Sequence, residues 1–288
     1  MYNLLNPDPN EEVTLRVLSL GAGVQSTAMV LMAIEGELTP RPDCAIFADT
    51  GWEPQSVYDH LDWLQAYAKE RNFTIYRVAH GNLMQDTLDA VAGKRKRVAN
   101  PPFFTASEKT GKEGRLMRQC TQDYKIHPVM AKIRELLGVA KGRKVPKGVL
   151  VEQWMGISMD EIQRMKPSQK KYVRLRYPLI EKYITRMKCL DWMKERGFPE
   201  PTKSACIACP YHDNNFWTEM KEKHPEDWKH ACDFDRKLRE GHLPNARGKA
   251  FIHRSLMPLE EADITPKHKH QIGLFDDFTE ECDGLCGV

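Results

Sequence analysis

Val13-Thr14-Leu15-Arg16-Val17-Leu18-Ser19-Leu20-Gly21-Ala22-Gly23-Val24-Gln25-Ser26-Thr27 is the stretch whose reading decides the fold. Val13 to Ser19 is aliphatic and β-branched, the composition of a short buried strand. A glycine-containing turn follows, and the apolar run Ala28 to Ile34 reads as a buried helix ended near Gly36. Strand, glycine turn and helix in that order build an anion site, because turn N–H groups and the positive helix end face the ligand together. Glycine lets the backbone approach without a Cβ in the way. Ser19, Ser26 and Thr27 add hydroxyl donors. No Gly-Lys-Ser/Thr follows, so this is not a Walker A loop, and the third glycine of a dinucleotide fingerprint is missing.

Outward from this stretch, strands and helices alternate. Cys44 to Ala48, Phe73 to Val78 and Val149 to Ile157 read as strands. Val57 to Lys69, Leu83 to Ala92 and Ile126 to Leu137 read as helices. The alternation predicts an α/β fold with a doubly wound, mainly parallel sheet. Asp49-Thr50-Gly51-Trp52-Glu53-Pro54 falls at the carboxyl end of the second strand, where open α/β sheets place ligands. Asp49 is a candidate to hold a cation or orient an attacking group; the other reading is a turn-forming Asp before a helix-starting Pro. After Pro178 helices dominate: Ile184 to Arg196, Asn214 to Lys223 and about Asp227 to Glu240. The expected division is a nucleotide domain over 1–180, with a basic insertion at 93–120, and a helical, cysteine-bearing part over 181–288. The insertion reads as a long functional loop. Its run Lys94-Arg95-Lys96-Arg97 is either a nucleic-acid contact or a solvated loop.

The chain has 288 residues, 41% hydrophobic and 29% charged, enough for a sizeable core without disulfides. No run of about 18 apolar residues occurs, and Met1 to Asn10 has neither a basic nor an apolar leader pattern. A cytoplasmic location is therefore expected. With 43 basic and 40 acidic residues, the net charge of +3 argues against coating nucleic acid through bulk charge, though a local patch is compatible with it. The eight cysteines of such a chain are metal ligands, catalytic groups or core residues rather than disulfides. In Cys206-Ile207-Ala208-Cys209-Pro210 two thiolates three positions apart can reach one metal or cluster; a redox pair is the alternative, without a thioredoxin-like context. One such pair needs two more ligands. Cys44, in an apolar strand, and Cys232, on a helix, read as core residues.

Ser19-Leu20-Gly21-Ala22-Gly23-Val24-Gln25-Ser26 resembles the PP-loop of the adenine nucleotide alpha-hydrolase superfamily. Asp49-Thr50-Gly51-Trp52-Glu53 with Val57-Tyr58 resembles the next segment of its phosphoadenosine phosphosulfate (PAPS) reductase-like branch. Gly156-Ile157-Ser158-Met159-Asp160-Glu161 with Arg164 resembles that branch's signature at a later strand end, and Tyr177-Pro178-Leu179-Ile180 fits the segment after it. Two features depart from the pattern. Ala22 and Gln25 replace the first Gly and the Asp of Ser-Gly-Gly-x-Asp-Ser, and Ser158 stands where an Arg is usual.

The resemblance implies a site for PAPS or ATP at Ser19, Gly21, Gly23, Ser26, Thr27, Asp49, Thr50, Gly51, Gly156, Glu161 and Arg164, with Mg²⁺ if ATP is the substrate. Arg115, Arg118, Lys125, Arg174 and Arg176 are further candidates to hold phosphate. Cys120-Thr121-Gln122-Asp123-Tyr124-Lys125-Ile126-His127-Pro128 resembles a stretch that carries cluster cysteines in iron–sulfur members of the branch. Cys120, Cys189, Cys206 and Cys209 are accordingly expected to hold a [4Fe–4S] cluster, with zinc as the alternative. The ending Glu281-Cys282-Asp283-Gly284-Leu285-Cys286 resembles the reductases' cysteine tail, which implies Cys286 and Cys282 as nucleophile and resolving thiol and a thioredoxin-like reductant as partner. The expected activity is that of a PAPS reductase-like enzyme of sulfur metabolism. The alternatives are an ATP-dependent sulfurtransferase modifying tRNA or DNA and, in another class, a zinc-stabilised nucleic-acid-binding protein without turnover.

Overall fold

The computed structural model describes residues 12–107, 110–244 and 246–266. The elements run β1 (Leu15–Leu20), α1 (Val24–Ile34), β2 (Cys44–Asp49), α2 (Gln55–Glu70), β3 (Thr74–Ala79), α3 (Leu83–Val91), β4 (Phe104–Ala106) and β5 (Glu113–Arg115). They continue α4 (His127–Leu136), β6 (Val151–Trp154), β7 (Val173–Arg176), α5 (Pro178–Glu181), α6 (Arg186–Glu195), α7 (Asn214–Lys223), α8 (Pro225–Glu240) and β8 (Lys249–Phe251).

The central sheet has the order β3-β2-β1-β6-β7, and every pair in it is parallel. The α/β expectation therefore holds. Alternate residues of each strand face opposite sides of the sheet, the two layers of a first core. Leu18, Leu20, Ala45 and Phe47 pack with α1, α2 and α6, while Val17, Cys44, Ile46 and Val151 pack with α4. Full burial of a Leu or Phe side chain contributes about 1.5–3 kcal/mol, so these two layers carry the sheet. Helix α1 is buried from Val24 to Ala33, as an all-round apolar helix between sheet and outer helices must be. It begins at Val24, earlier than the apolar run suggests, so Gln25, Ser26 and Thr27 form its first turn.

Strand β7 goes beyond the four strands read from the sequence. Its four residues, Val-Arg-Leu-Arg, carry two arginines, and the structure explains them. Arg174 and Arg176 pair with Glu152 on the neighbouring β6 at 2.7 and 3.5 Å. Arg176 also makes a bidentate pair with Glu181 and covers the Trp154 ring. Both were candidates for phosphate binding; their ion pairs instead fasten the sheet edge. Against the cost of burial, the Trp154 indole N–H and these two guanidiniums hold Glu152 below the usual carboxylate range.

A second core gathers Trp52, Phe103, Trp217 and Phe234 with parts of α3, α7 and α8. The basic insertion belongs to it and is more than a loop. Strand β4 pairs antiparallel with β5 on one side and with β8 on the other. Helix α6 packs with α1 in the first core, so the cores divide the chain differently from a cut at residue 180. Among the described residues no helix is long and apolar enough to cross a membrane.

Candidate nucleotide and thiol site

Strand order reverses direction at β1, between β2 and β6, and open α/β sheets bind ligands in that crevice. The loop after β1 enters α1 through Gly23, with no side-chain cap and no acidic residue in the first turn. The helix end is therefore open to an anion. Ser26 braces the loop internally: its hydroxyl accepts from the Gly21 N–H at 3.2 Å and donates to the Gly23 carbonyl at 3.3 Å. Ala22 adopts φ 59°, a left-handed conformation that costs a non-glycine residue about 1–2 kcal/mol. Its side chain is only 1% exposed, so core packing holds it there. Thr27 faces away from the crevice; its hydroxyl meets His60 Nε2 at 3.2 Å, both buried. Ser19 accepts a hydrogen bond from Gln153 Nε2 at 2.7 Å. Thr27 and Ser19 thus build the loop's support.

The end of β6 clamps this loop. A Cβ on Gly156 would lie 3.2 Å from both the Ser26 N and Cβ, so any larger residue would require the α1 turn to give by a few tenths of an ångström. Just beyond it, Gln25 Nε2 donates to Ser158 Oγ at 3.4 Å and to Glu161 Oε2 at 3.1 Å. Glu161 in turn pairs with Arg164 at 2.5 Å. Two of the three positions that depart from the pattern, 25 and 158, are therefore in contact with each other. A buried neutral amide–hydroxyl pair joins the loop to the next strand end.

At the end of β2, Asp49 is fully engaged. Its Oδ1 accepts from the Gly51 N–H at 2.7 Å and from the Tyr58 hydroxyl at 2.9 Å. Its Oδ2 accepts from Arg77 Nε and Nη2, each at 2.8 Å. Gly51 has φ 69°, and a Cβ there would lie 2.8 Å from the Asn82 amide nitrogen. Asp49 thus anchors a tight turn, the reading given above as the alternative to a reactive carboxylate.

That turn delivers Thr50 and Glu53 into the crevice. Glu53 is 3% exposed, and burial pushes its carboxyl up while Lys125 opposes that rise from 3.8 Å. Lys125 comes from a π-helical turn at Thr121–Ile126, placed by the buried Tyr124 hydroxyl donating to Asp86 at 2.5 Å. Cys206 closes the group: its Sγ lies 3.3 Å from Thr50 Oγ1 and 4.0 Å from Glu53 Oε1. Burial and the Glu53 carboxylate push this thiol well above its ordinary value. The turn bearing it is fixed. Ile207 N–H donates to the Trp52 carbonyl at 2.9 Å, and His212 Nε2 lies 2.9 Å from the Cys206 carbonyl. Ser204 faces the phosphate loop, its Cβ 4.0 Å from where a Cβ on Gly23 would stand. Gly21, Glu53, Lys125 and Ser204 line one narrow cleft.

No family model and no curated protein matches the sequence. Solved structures do. PAPS reductase from Candida auris, in its phosphate complex, is 15% identical over 65% of this chain and 75% of its own, with a TM-score of 0.35. The U34-tRNA thiolase NcsA from Methanococcus maripaludis, with its [4Fe–4S] cluster, is 16% identical over 83% of this chain and 77% of its own, with a TM-score of 0.43. The likeness is one of fold. The fold assignment rests on the strand order described above, and the reading of the site on its geometry.

The cysteine set expected for a cluster is not brought together. Cys189 is 0% exposed in the first core, where burial and Asp160 push its thiol up to about 12. Cys120 and Cys206 border the second core, as does Cys232. Trp52 Nε1, Asn100 Oδ1 and Thr121 Oγ1 are buried without hydrogen-bond partners on the segments around them. These atoms are unmet polar capacity and do not replace missing ligands. Among the described residues no three His, Cys, Asp or Glu side chains form a metal-holding group. Cys189 therefore stands apart, and the four-cysteine set expected for a [4Fe–4S] cluster or a Cys₄ zinc site is not assembled among the described residues. Nor does a carboxylate stand ready for Mg²⁺: Asp49, Glu53 and Glu161 already face Arg77, Lys125 and Arg164. A Mg²⁺ would be held by the nucleotide's own phosphates. Cys282 and Cys286 lie outside the described residues.

Glu53 was read only as part of a turn motif, and Ser204 and His212 were not singled out. A Ser-x-Cys-x-x-Cys-Pro-x-His pattern was visible at 204–212. Its partner Glu53 lies about 150 residues earlier, and nothing in the spacing connects them.

Proposed function

We propose that the chain binds an adenine nucleotide, PAPS or ATP, on the β1–α1 loop and performs sulfur transfer in the adjoining cleft. One observation carries this reading: the Cys206 turn, through Ser204, stands against the open end of α1. A thiol and an anion-binding helix end thus share one crevice. Gly23 and the first-turn amides hold phosphate, Lys125 supplies positive charge, and Ser26 keeps the loop in shape. Catalysis at such a site is mostly positioning and charge neutralisation.

In the reductive form, a thiolate attacks the sulfur of a bound sulfonate and adenosine bisphosphate leaves. A second thiol then releases sulfite and a disulfide forms. Cys286 and Cys282 are our assignment for these two thiols, with a thioredoxin-like dithiol to reduce them. In the second form, a substrate oxygen attacks the α-phosphate of ATP, pyrophosphate leaves, and a sulfur nucleophile displaces the adenylate. The basic, aromatic surface beside the Cys206 turn favours this second form, because it suits a large anionic substrate.

An anaerobic assay separates them. Sulfite release from PAPS with a dithiol supports the first, and pyrophosphate release from Mg-ATP with tRNA or DNA supports the second. Release of neither product by protein that binds the nucleotide would overturn the proposal. Truncation after Thr279 is expected to abolish sulfite release and leave nucleotide binding intact. Unchanged sulfite release would remove the tail from the mechanism.

A further inference from the structure

Arg115, at the end of β5, and Arg118, two residues before Cys120, both place their guanidinium over the ring of Tyr211, at 5.4 and 5.5 Å. Between them Met117 projects into solvent with 79% of its surface exposed. Tyr211 follows the Cys206–Cys209 turn by two residues, and the chain from Arg118 runs directly into the π-helical turn that carries Lys125. This surface is therefore joined along the chain to the segments that supply Lys125 and Ser204 to the cleft. Lys112 extends it along the hairpin, where Glu113 is the exposed acid of β5. Lys96 and Arg97 are exposed on the segment before the hairpin, whereas Lys94 and Arg95 face Asp89 and Asp86.

We propose that the β4–β5 hairpin, residues 116–118 and Tyr211 form a landing face for a single-stranded nucleic acid. The chain as a whole is nearly neutral, at 43 basic to 40 acidic residues, so attraction for a polyanion has to come from a local patch such as this. Two guanidiniums layered on an aromatic ring offer what a single strand needs: flat π surfaces on which an unstacked base can lie, and charge for the phosphate beside it. An exposed Met117 adds apolar contact for a base face. A duplex keeps its bases stacked and would use only the charges. An acidic peptide would likewise leave the stack unused. The role of the strand as sulfur acceptor rests on the function proposed above; its binding does not.

The test is fluorescence anisotropy of the full chain with a labelled 20-nucleotide single-stranded RNA, the DNA of the same sequence, and the duplex. Both single strands are expected to bind more tightly than the duplex, with affinity falling as salt rises. R115E/R118E should weaken single-strand binding at least tenfold and flatten the salt dependence. Y211A should weaken it about fivefold or more, the loss of one stacked base, with the salt slope unchanged. K141E/K144E removes the same positive charge from an exposed loop elsewhere and should have little effect. Thermal melting and far-ultraviolet circular dichroism of each variant establish that it is folded. Equal losses in R115E/R118E and K141E/K144E, or wild-type binding by R115E/R118E, would overturn the proposal. So would preference for the duplex, or equal competition by a polyglutamate peptide. Strand binding that depends on this face in a protein without nucleotide turnover would sink the proposed function and leave the face standing.

Discussion

Gly156 acts by lacking a side chain. The end of β6 touches the first turn of α1 where a single methyl group would stand 3.2 Å from the Ser26 backbone nitrogen. Gly156→Ala is therefore expected to push the loop out of register at a cost of about 1–3 kcal/mol. Nucleotide affinity should fall at least tenfold, read by calorimetric titration, while far-ultraviolet circular dichroism stays native. Unchanged affinity would show that the loop does not depend on this contact. Gln25 tests the neighbouring contact. Gln25→Glu sets a carboxylate beside Glu161, whose Oε2 lies 3.1 Å from the present amide. Two buried like charges should destabilise the fold by about 3 kcal/mol, visible as a lower urea midpoint. Sequence reading marked 25 and 158 as departures from a pattern. It could not mark them as partners, because 133 residues separate them and only the sheet order brings them together.

At the scale of elements, strands in a parallel sheet were legible because each is a compact apolar run bounded by turn residues. The exceptions have physical reasons. Strands β4, β5 and β8 have three residues each, too short for a period to show, and β8 joins β4 from a distant part of the chain. Strand β7 alternates arginine with aliphatic residues, and its charges make sense only beside Glu152. Helix contacts also set a pH response. Burial holds His60 at about 4 and His212 at about 3, against an ordinary value near 6.5. The unfolded chain takes up these protons below about pH 6.5 and the folded chain does not. Stability from the two neutral rings is thus full above that pH and declines as pH falls toward 4 and then 3. The urea midpoint should be lower at pH 5 than at pH 7.5. His60→Gln, which keeps a partner for Thr27, should reduce that difference. An equal midpoint at both pH values would refute the burial of neutral rings.

The molecule as a whole is two cores sharing one crevice. The first holds the β1–α1 loop, and the second brings the Cys206 turn against it through Ser204. The Cys206–Cys209 pair, the nearby Cys189 and the resemblance of the Cys120 segment together suggested a set drawn from both. The fold assigns Cys189 to the layer between α1 and α6 instead. Cys189→Ala, purified without oxygen, is accordingly expected to contain as much iron and zinc per chain as the unaltered protein. Elemental analysis checks this, and a stoichiometric drop would return Cys189 to the metal site. The nucleotide loop was legible because its glycines and helix are contiguous. The thiol half was not, because Glu53, Lys125 and Cys206 meet only after three distant segments converge.

The pairing of β4 with β8 has a consequence for how the protein is made. Everything the first core needs has left the ribosome once the chain through Phe198 has emerged, and domains fold as units during synthesis. Phe104–Ala106, by contrast, must wait for Lys249–Phe251 before its second edge is filled. The first core is thus complete before the sheet that carries the hairpin can close. A chain interrupted during translation would carry the β1–α1 loop on a finished core, with the hairpin still unpaired along one edge.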